Sequence, residues 1–324
     1  MSFHDASYDP ESLPIAVPHA IATGPVVNAM TVDVEDYFQV SAFEAAVPRS
    51  TWEARESRVC RNTERLLTLL ETSNIKATFF VLGWVAERFP GLVRRIVREG
   101  HELASHGYEH RLVYSQTPRE FRNDLRRARV ALEQAGGCPV LGYRAPSYSI
   151  VNRSLWALDV LIEEGYAYDS SIYPIRHDRY GIPEWRRDVH RIDRGGGSIW
   201  ELPGSTVRLG TTNLPFGGGG YFRLLPYAWT RYGIARLNAA GHPAIFYLHP
   251  WEIDPEQPRI QAGRLSMLRH YWNLSRTEPR LKRLLGQFLF GRIGDVLANQ
   301  FRDRGVVASL DSSVSPQPFP YVAQ

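Results

Sequence analysis

The stretch VVNAMTVDVEDYF (residues 26–38) runs from an apolar, β-branched segment straight into three acids, Asp33, Glu35 and Asp36. The apolar part has the character of a buried strand, and the acids close it. Downstream the theme repeats with helices between. NTERLLTLLETS (62–73) sets Leu66, Leu67, Leu69 and Leu70 on the apolar side of a helix, and KATFFVLG (76–83) is a second strand, stopped by glycine. FPGLVRRIVREG (89–100) has the Pro-Gly start and glycine stop of a helix, and HELASH is short and extended. TPREFRNDLRRARVALEQAGG (117–137) carries a Thr N-cap, proline in the first turn, glutamate three residues after the cap and a Gly-Gly end.

Strand VLGYRA (140–145), helix SLWALDVLIEEG (154–165) and extended YAYDSSIY (166–173) continue the pattern, before an irregular segment at 174–196. SIWELPGSTV (198–207) and PAIFYLHPWEI (243–253) read as strands, the second preceded by helix YAWTRYGIARLNAAG (227–241). Strands separated by helices at this spacing imply parallel βα units, hence an α/β barrel or a doubly wound sheet. Near residue 260 the character changes: RLSMLRHYWNL and RLKRLLGQFLFGRIGDVLANQF read as helices with no strand between them. The expected organisation is a loosely packed extension at 1–25, an α/β domain at 26–260 and a helical extension at 261–324 packed on it.

Hydrophobic residues make up 44% of the 324 and charged residues 22%, enough apolar material for one large core. The net charge of +4 is small, and the arginine-rich runs RNDLRRAR (122–129) and RRIVR (94–98) sit within apolar periodicity. They read as solvated helix faces, so nucleic acid is not an expected partner. Cys60 and Cys138 are far apart, which gives neither a zinc cage nor a disulfide framework. No apolar run is long enough for a transmembrane helix, and the first twenty residues lack a signal-peptide pattern. The expectation is a cytoplasmic protein, with peripheral attachment to the inner membrane as an option.

Four sets of polar residues fall at strand ends, where α/β folds place their chemistry. Asp33 and Glu35, at i and i+2, share a side while the chain stays extended, and Asp36 follows. Acids closing an apolar strand are costly to bury unless paired or protonated; an exposed turn is the plainer alternative. In LASHGYEHRLVY (103–114), His106 and His110 flank Gly107, which argues for a loop from which both imidazoles can meet one ion. Two histidines and one carboxylate leave coordination positions open, as catalytic sites require. In GYRAPSYSI (142–150), Arg144 can hold a carboxylate by a bidentate bond. In FYLHPWE (246–252), His249 ends an apolar strand, a position suited to a general acid, and Asp169 of YDSS is a candidate to tune it. LPFGGGGYFRLLP (214–226), with Gly219 and Tyr221, can shape a sugar groove, its glycines allowing close approach or a moving lid. Tyr148 and Trp251 are candidate stacking or wall residues.

The order acids, HxxxH, RxPxY, Asp, LH resembles that of the polysaccharide deacetylases, carbohydrate esterase family 4. More closely, TVDVEDYFQVSAF, KATFFVLGWVAERFP, HELASHGYEH, GYRAPSYSI, YDSSIYP, GGGGYFRLLP and LHPWEIDPEQPR resemble the exosortase/PEP-CTERM subfamily encoded at exopolysaccharide loci. The resemblance spans about 26–260, and the C-terminal extension shares it. It implies an α/β fold, a distorted (β/α) barrel of fewer than eight complete units with a C-terminal helical extension. It implies metal histidines at His106 and His110, a catalytic base at Asp33 oriented by Arg144, and a general acid at His249. Leu248 would line the acetyl pocket, and Asp169 falls in the motif that tunes the acid. One departure stands out: the family's usual adjacent aspartates are absent, since Val34 follows Asp33, and Glu35 and Asp36 compete for the third metal position. The implied activity is hydrolysis of N-acetyl groups from an amino-sugar polysaccharide or oligosaccharide. The implied cofactor is a divalent metal, zinc before cobalt or nickel, and exopolysaccharide machinery is a peripheral partner. Metal-free relatives that open the allantoin ring share the scaffold, and a glycan-binding relative without catalysis is the third reading.

Overall fold

The computed structural model describes residues 25–303, so the 1–25 extension lies almost wholly outside it. β1 (Asn28–Val34) is followed by α1 (Val59–Thr72), β2 (Thr78–Val81), α2 (Gly83–Arg88), α3 (Pro90–Arg98), β3 (Glu102–Ser105), α4 (Pro118–Gly136), β4 (Gly142–Tyr143), α5 (Trp156–Glu163) and β5 (Tyr168–Asp169). Then come β6 (His190–Arg194), β7 (Gly197–Glu201), the hairpin β8 (Thr206–Leu209) and β9 (Thr212–Pro215), α6 (Gly219–Leu224), α7 (Tyr227–Ala239) and β10 (Ile245–Leu248). The C-terminal part holds α8 (Arg264–Tyr271), α9 (Leu274–Leu285), β11 (Phe290–Gly291) and α10 (Ile293–Asp303).

The main sheet runs β10-β1-β2-β3-β4-β5-β7-β6, parallel except for β6 on β7. No ladder joins β7 to β10 among the described residues. Single main-chain bonds span that gap instead: Gly204 N donates to Ile172 O, Phe216 N to Ser205 O and Tyr247 N to Gly217 O. The result is the expected distorted α/β barrel. Its two faces follow the strand period of two. Val32, Phe79, Phe246 and Leu248 join the helices' Leu66, Leu67, Val93 and Leu125 in the larger apolar cluster. Thr31 and Asp33 alternate with them, and Thr31 is in register with Tyr247. The polar residues of β1 and β10 therefore meet inside the barrel, at the strands' C-terminal end.

Local chemistry fixes the helices as read. Thr117 and Glu120 form a reciprocal capping box on α4, and Gly137 ends it at φ 68, in the left-handed region. Four expectations need correction. The 174–196 segment includes β6. SIWELPGSTV breaks after Glu201, and Pro203 lies in the break. β10 stops at Leu248 because Pro250 cannot extend a ladder, and Pro250–Ile253 is a 3-10 turn. The C-terminal helices do contain a strand, for β11 pairs with Asn28 and Ala29 of β1. Of the two readings of the tetraglycine, close backbone approach is the one the structure shows. At Gly218 (φ +129) a Cβ would lie 1.8 Å from Tyr247 O, and at Gly219 (φ +52) 2.5 Å from the Tyr247 ring. These glycines let the chain lie flat against β10.

Candidate active site and metal centre

Past the end of β1 the chain turns sharply, with Glu35 N donating to Asp33 O. Glu35 faces the loop after β3 that carries both histidines. Among the described residues, Glu35, His106 and His110 form a group whose ligand atoms all lie within 4.8 Å of one another. His106 Nδ1 is 2.8 Å from Arg144 O. A carbonyl can only accept, so Nδ1 carries the proton and Nε2 keeps its lone pair for an ion. Burial pushes His106 down to about 4, which holds it in the neutral, ligating form. His110 (φ 52) rests against Ser41 Oγ through Nδ1 at 3.3 Å, turning Nε2 toward Glu35. Glu35 Oε2 is 2.7 Å from that Nε2, yet this buried oxygen makes no hydrogen bond of good geometry. Burial would raise Glu35, but the charges of His110, His249 and His106 hold its carboxyl far below the usual range. A buried carboxylate oxygen left without a hydrogen bond beside two imidazole nitrogens fits a divalent cation of the zinc type.

Asp36 is not part of this group. Its Oδ2 accepts from Ser57 Oγ (2.6 Å), Arg58 N (2.9 Å) and Val59 N (3.2 Å), and Oδ1 accepts from Tyr37 N (3.0 Å). The carboxyl closes the first turn of α1 rather than facing the metal group. Burial pushes it up to about 6.

Arg144 is fully buried and holds Asp33, though not by the expected bidentate bond. Nη1 alone donates to Asp33 Oδ1 (2.7 Å) and to Thr31 Oγ1 (2.7 Å). Nε and Nη2 go to Ser170 O (3.1 Å) and Ser170 Oγ (2.9 Å). Asp33 Oδ2 does not touch Arg144 and lies 3.8 Å from His249 Nε2. His249 Nε2 is also 3.7 Å from Glu35 Oε1. The His249 side chain is 18% exposed, against 3% or less for Asp33, Glu35 and His110, so it is the most accessible of these four groups.

Asp169 does not tune His249. Its Oδ1 accepts from Ser171 Oγ, and it lies in register with Glu201; burial raises Asp169 to about 6 and Glu201 well above the carboxylate range. The carboxylate that bonds His249 directly is Glu252, at the end of the FYLHPWE stretch. Its Oε1 is 2.7 Å from His249 Nδ1, and its Oε2 accepts from Arg223 Nε at 2.5 Å. Burial lowers His249, but Glu35, Glu252 and Asp33 outweigh it and raise the imidazole to about 9. The i,i+3 spacing of His249 and Glu252 was the available signal. Arg223 and Ser41 gave no local signal at all.

The expected substrate residues divide. Trp251 donates Nε1 to Glu35 Oε1 (3.1 Å) and is stacked between His249 (5.1 Å) and His270 (4.1 Å). Both its faces are taken, so it positions site groups and offers no face to a sugar. Leu248 points into the outer apolar cluster, away from the site. The β10 residue on the His249 face is Tyr247, its ring centroid 5.9 Å from that of His249. Tyr148 is buried against Tyr173 and Tyr247 near Arg144, its hydroxyl without a partner. Tyr221 lines the cleft outside the site, and Gly219 packs on Tyr247.

Residues 51–166 match the family model "Polysaccharide deacetylase", and residues 170–298 match "Domain of unknown function (DUF3473)". A peptidoglycan-N-acetylglucosamine deacetylase of Bacillus cereus is 36% identical over 98 residues, 30% of this chain and 36% of that protein. A peptidoglycan deacetylase of Helicobacter pylori is 30% identical over 108 residues, 33% of this chain and 36% of its own. The match thus spans about a third of the length of these curated relatives. Among solved structures, a Mycobacterium smegmatis chain provisionally described as a polysaccharide deacetylase superposes at TM-score 0.57 with 21% identity, covering 94% of this chain and 98% of its own. Puue allantoinase superposes at 0.56 with 16% identity, covering 92% and 98%. These two likenesses concern the fold. No helix among the described residues is long and apolar enough to cross a membrane.

Proposed function

We propose that the polysaccharide deacetylase domain of this chain hydrolyses N-acetyl groups from an amino-sugar polymer, with a divalent metal held by Glu35, His106 and His110. One observation carries the reading. The three-ligand group lies beside an arginine-held carboxylate, Asp33, and a cationic imidazole, His249, the acid–base pair that amide hydrolysis needs. When bound, the metal would act as a Lewis acid on the acetyl carbonyl and lower the pKa of water.

The protein's own groups do the rest. Asp33 Oδ1 is fixed by Arg144, so Oδ2 accepts the proton of the attacking water. His249, charged at neutral pH and aimed by Glu252, delivers a proton from Nε2 to the departing sugar nitrogen. Free amine and acetate result. The buried Arg144 and Trp251 keep both carboxylates in register and exclude water behind them. The resemblance to the exosortase-associated subfamily supports an exopolysaccharide as the polymer. The fold likeness to allantoinase does not choose between the two chemistries.

Acetate release from N-acetylated glycans by the metal-loaded chain is the test. The wild type should release acetate, and His249→Ala should lower kcat by about 10²–10⁴ while keeping its metal. Ring opening of allantoin without acetate release would replace this reading with the other hydrolase.

A further inference from the structure

Outside the reaction centre, two clefts flank one segment, residues 174–187. The first holds about 480 Å³ and shares Tyr247 and Trp251 with the site. Its far wall is Tyr180 and Tyr221, joined hydroxyl to hydroxyl at 2.9 Å, with His177 stacked on Tyr180 at 4.0 Å. Arg179 and Arg269 line this cleft with one carboxylate, Asp178, which lies against His177, and neither arginine forms an ion pair among the described residues. Burial first, then the charges of Arg269 and Arg179, hold His177 below its ordinary value against the pull of Asp178.

The second cleft holds about 870 Å³ and begins at Arg176, one residue from His177. It gathers Arg186, Arg187 and Arg208 with a single carboxylate, Glu184, in the same wall. Arg186 is matched by Asp188 at 2.6 Å, but Arg187 and Arg208 reach only the carbonyls of Thr206 (3.4 Å) and Gly210 (3.3 Å). Burial and the neighbouring Arg208 push Arg187 down, as expected of two guanidiniums with too little negative charge between them. Trp185, in the same wall, has a buried Nε1–H with no acceptor. Planar guanidiniums and an idle N–H match the acceptor geometry of a carboxylate.

We propose that the two clefts form one binding track for an acidic glycan, with Arg179 and Arg269 taking a carboxylate next to the reacting sugar and Arg187 and Arg208 taking another further along. All four arginines lie in the 170–298 region matched only by a family of unknown function, and the track gives that region its role. The inference names the substrate class of the proposed deacetylase and rests on that reading.

The test is calorimetric titration of the metal-loaded chain with two hexasaccharide probes. One alternates glucuronate with N-acetylglucosamine; the other is neutral chitohexaose. The acidic probe should bind about tenfold tighter at low salt, the size expected of a few half-exposed ion pairs, and salt should erode the advantage. The ratio of the two Kd values should fall toward one in Arg179→Ala/Arg269→Ala and in Arg187→Ala/Arg208→Ala. The matching Arg→Lys pairs, which keep charge and fold, should retain part of it. Equal affinities in the wild type, no binding of the acidic probe at millimolar concentration, or an unchanged ratio in folded alanine variants would overturn the track. Acetate is assayed in the same samples. A preference for the acidic probe with no acetate from either would overturn the deacetylase reading and leave the track standing.

Discussion

His249 is held cationic by its neighbours. Glu252 holds Nδ1 at 2.7 Å and is itself held by Arg223, so its charge is fixed where it stabilises the imidazolium. In the metal-free protein, Glu252→Gln should lower the His249 pKa from about 9 toward its ordinary 6.5. The sign follows from linkage. A raised imidazole pKa contributes stability that is complete below 6.5 and is lost as pH rises through about 9, so the variant should lose stability chiefly below that range. Imidazole titration by NMR checks it; an unmoved His249 resonance would exclude Glu252 as the tuning group. At this scale the sequence was legible in parts. The convergence of His106, His110, Asp33, Arg144 and His249 was legible because each ends a strand or follows one. Leu248 was misread, although the alternation counted back from His249 points to Tyr247. Trp251 could not be read, since His270, which covers its second face, comes from α8, far along the chain.

At the scale of elements, Asp36 and Glu35 are adjacent yet serve different ends. β1 finishes at Val34, and the turn sends one carboxylate to the metal group and the next to the start of α1. Sequence alone left them competing because the turn's dihedrals decide. Asp36→Ala should cost about 1–2 kcal/mol through the lost cap while metal content is retained. Chemical denaturation beside elemental analysis reads both; loss of metal with unchanged stability would reverse the assignment. β5 and β7 meet through a second acid pair, Asp169 and Glu201, in register across the strands. Their carboxyl pKa values are raised, so their favourable contribution is full below the unfolded value of 4.5 for Glu201 and declines as pH rises. Glu201→Gln keeps a donor toward Asp169 and should flatten the stability profile above pH 4.5, gaining most near neutrality. Parallel profiles for variant and wild type would contradict the raised Glu201 carboxyl.

For the molecule as a whole, the alternation of apolar strands and capped helices made the α/β barrel legible, since each signal is local. Its irregular closure was not. The gap between β7 and β10 is spanned by Gly204, Ser205 and Gly217 through single hydrogen bonds, and no period in the sequence announces such contacts. β11 was hidden for the same reason: two residues, Phe290 and Gly291, are too few to show a pattern. The barrel's inner face nonetheless brings together groups from positions 33 to 252, and their convergence is what the proposed chemistry rests on. The most direct test is metal content by elemental analysis of the purified chain beside His106→Ala/His110→Ala. About one zinc-type ion per chain, absent from a folded variant, is the predicted result. No ion in the wild type after reconstitution, or the same ion retained in the variant, would contradict the assignment of Glu35, His106 and His110 as the metal centre.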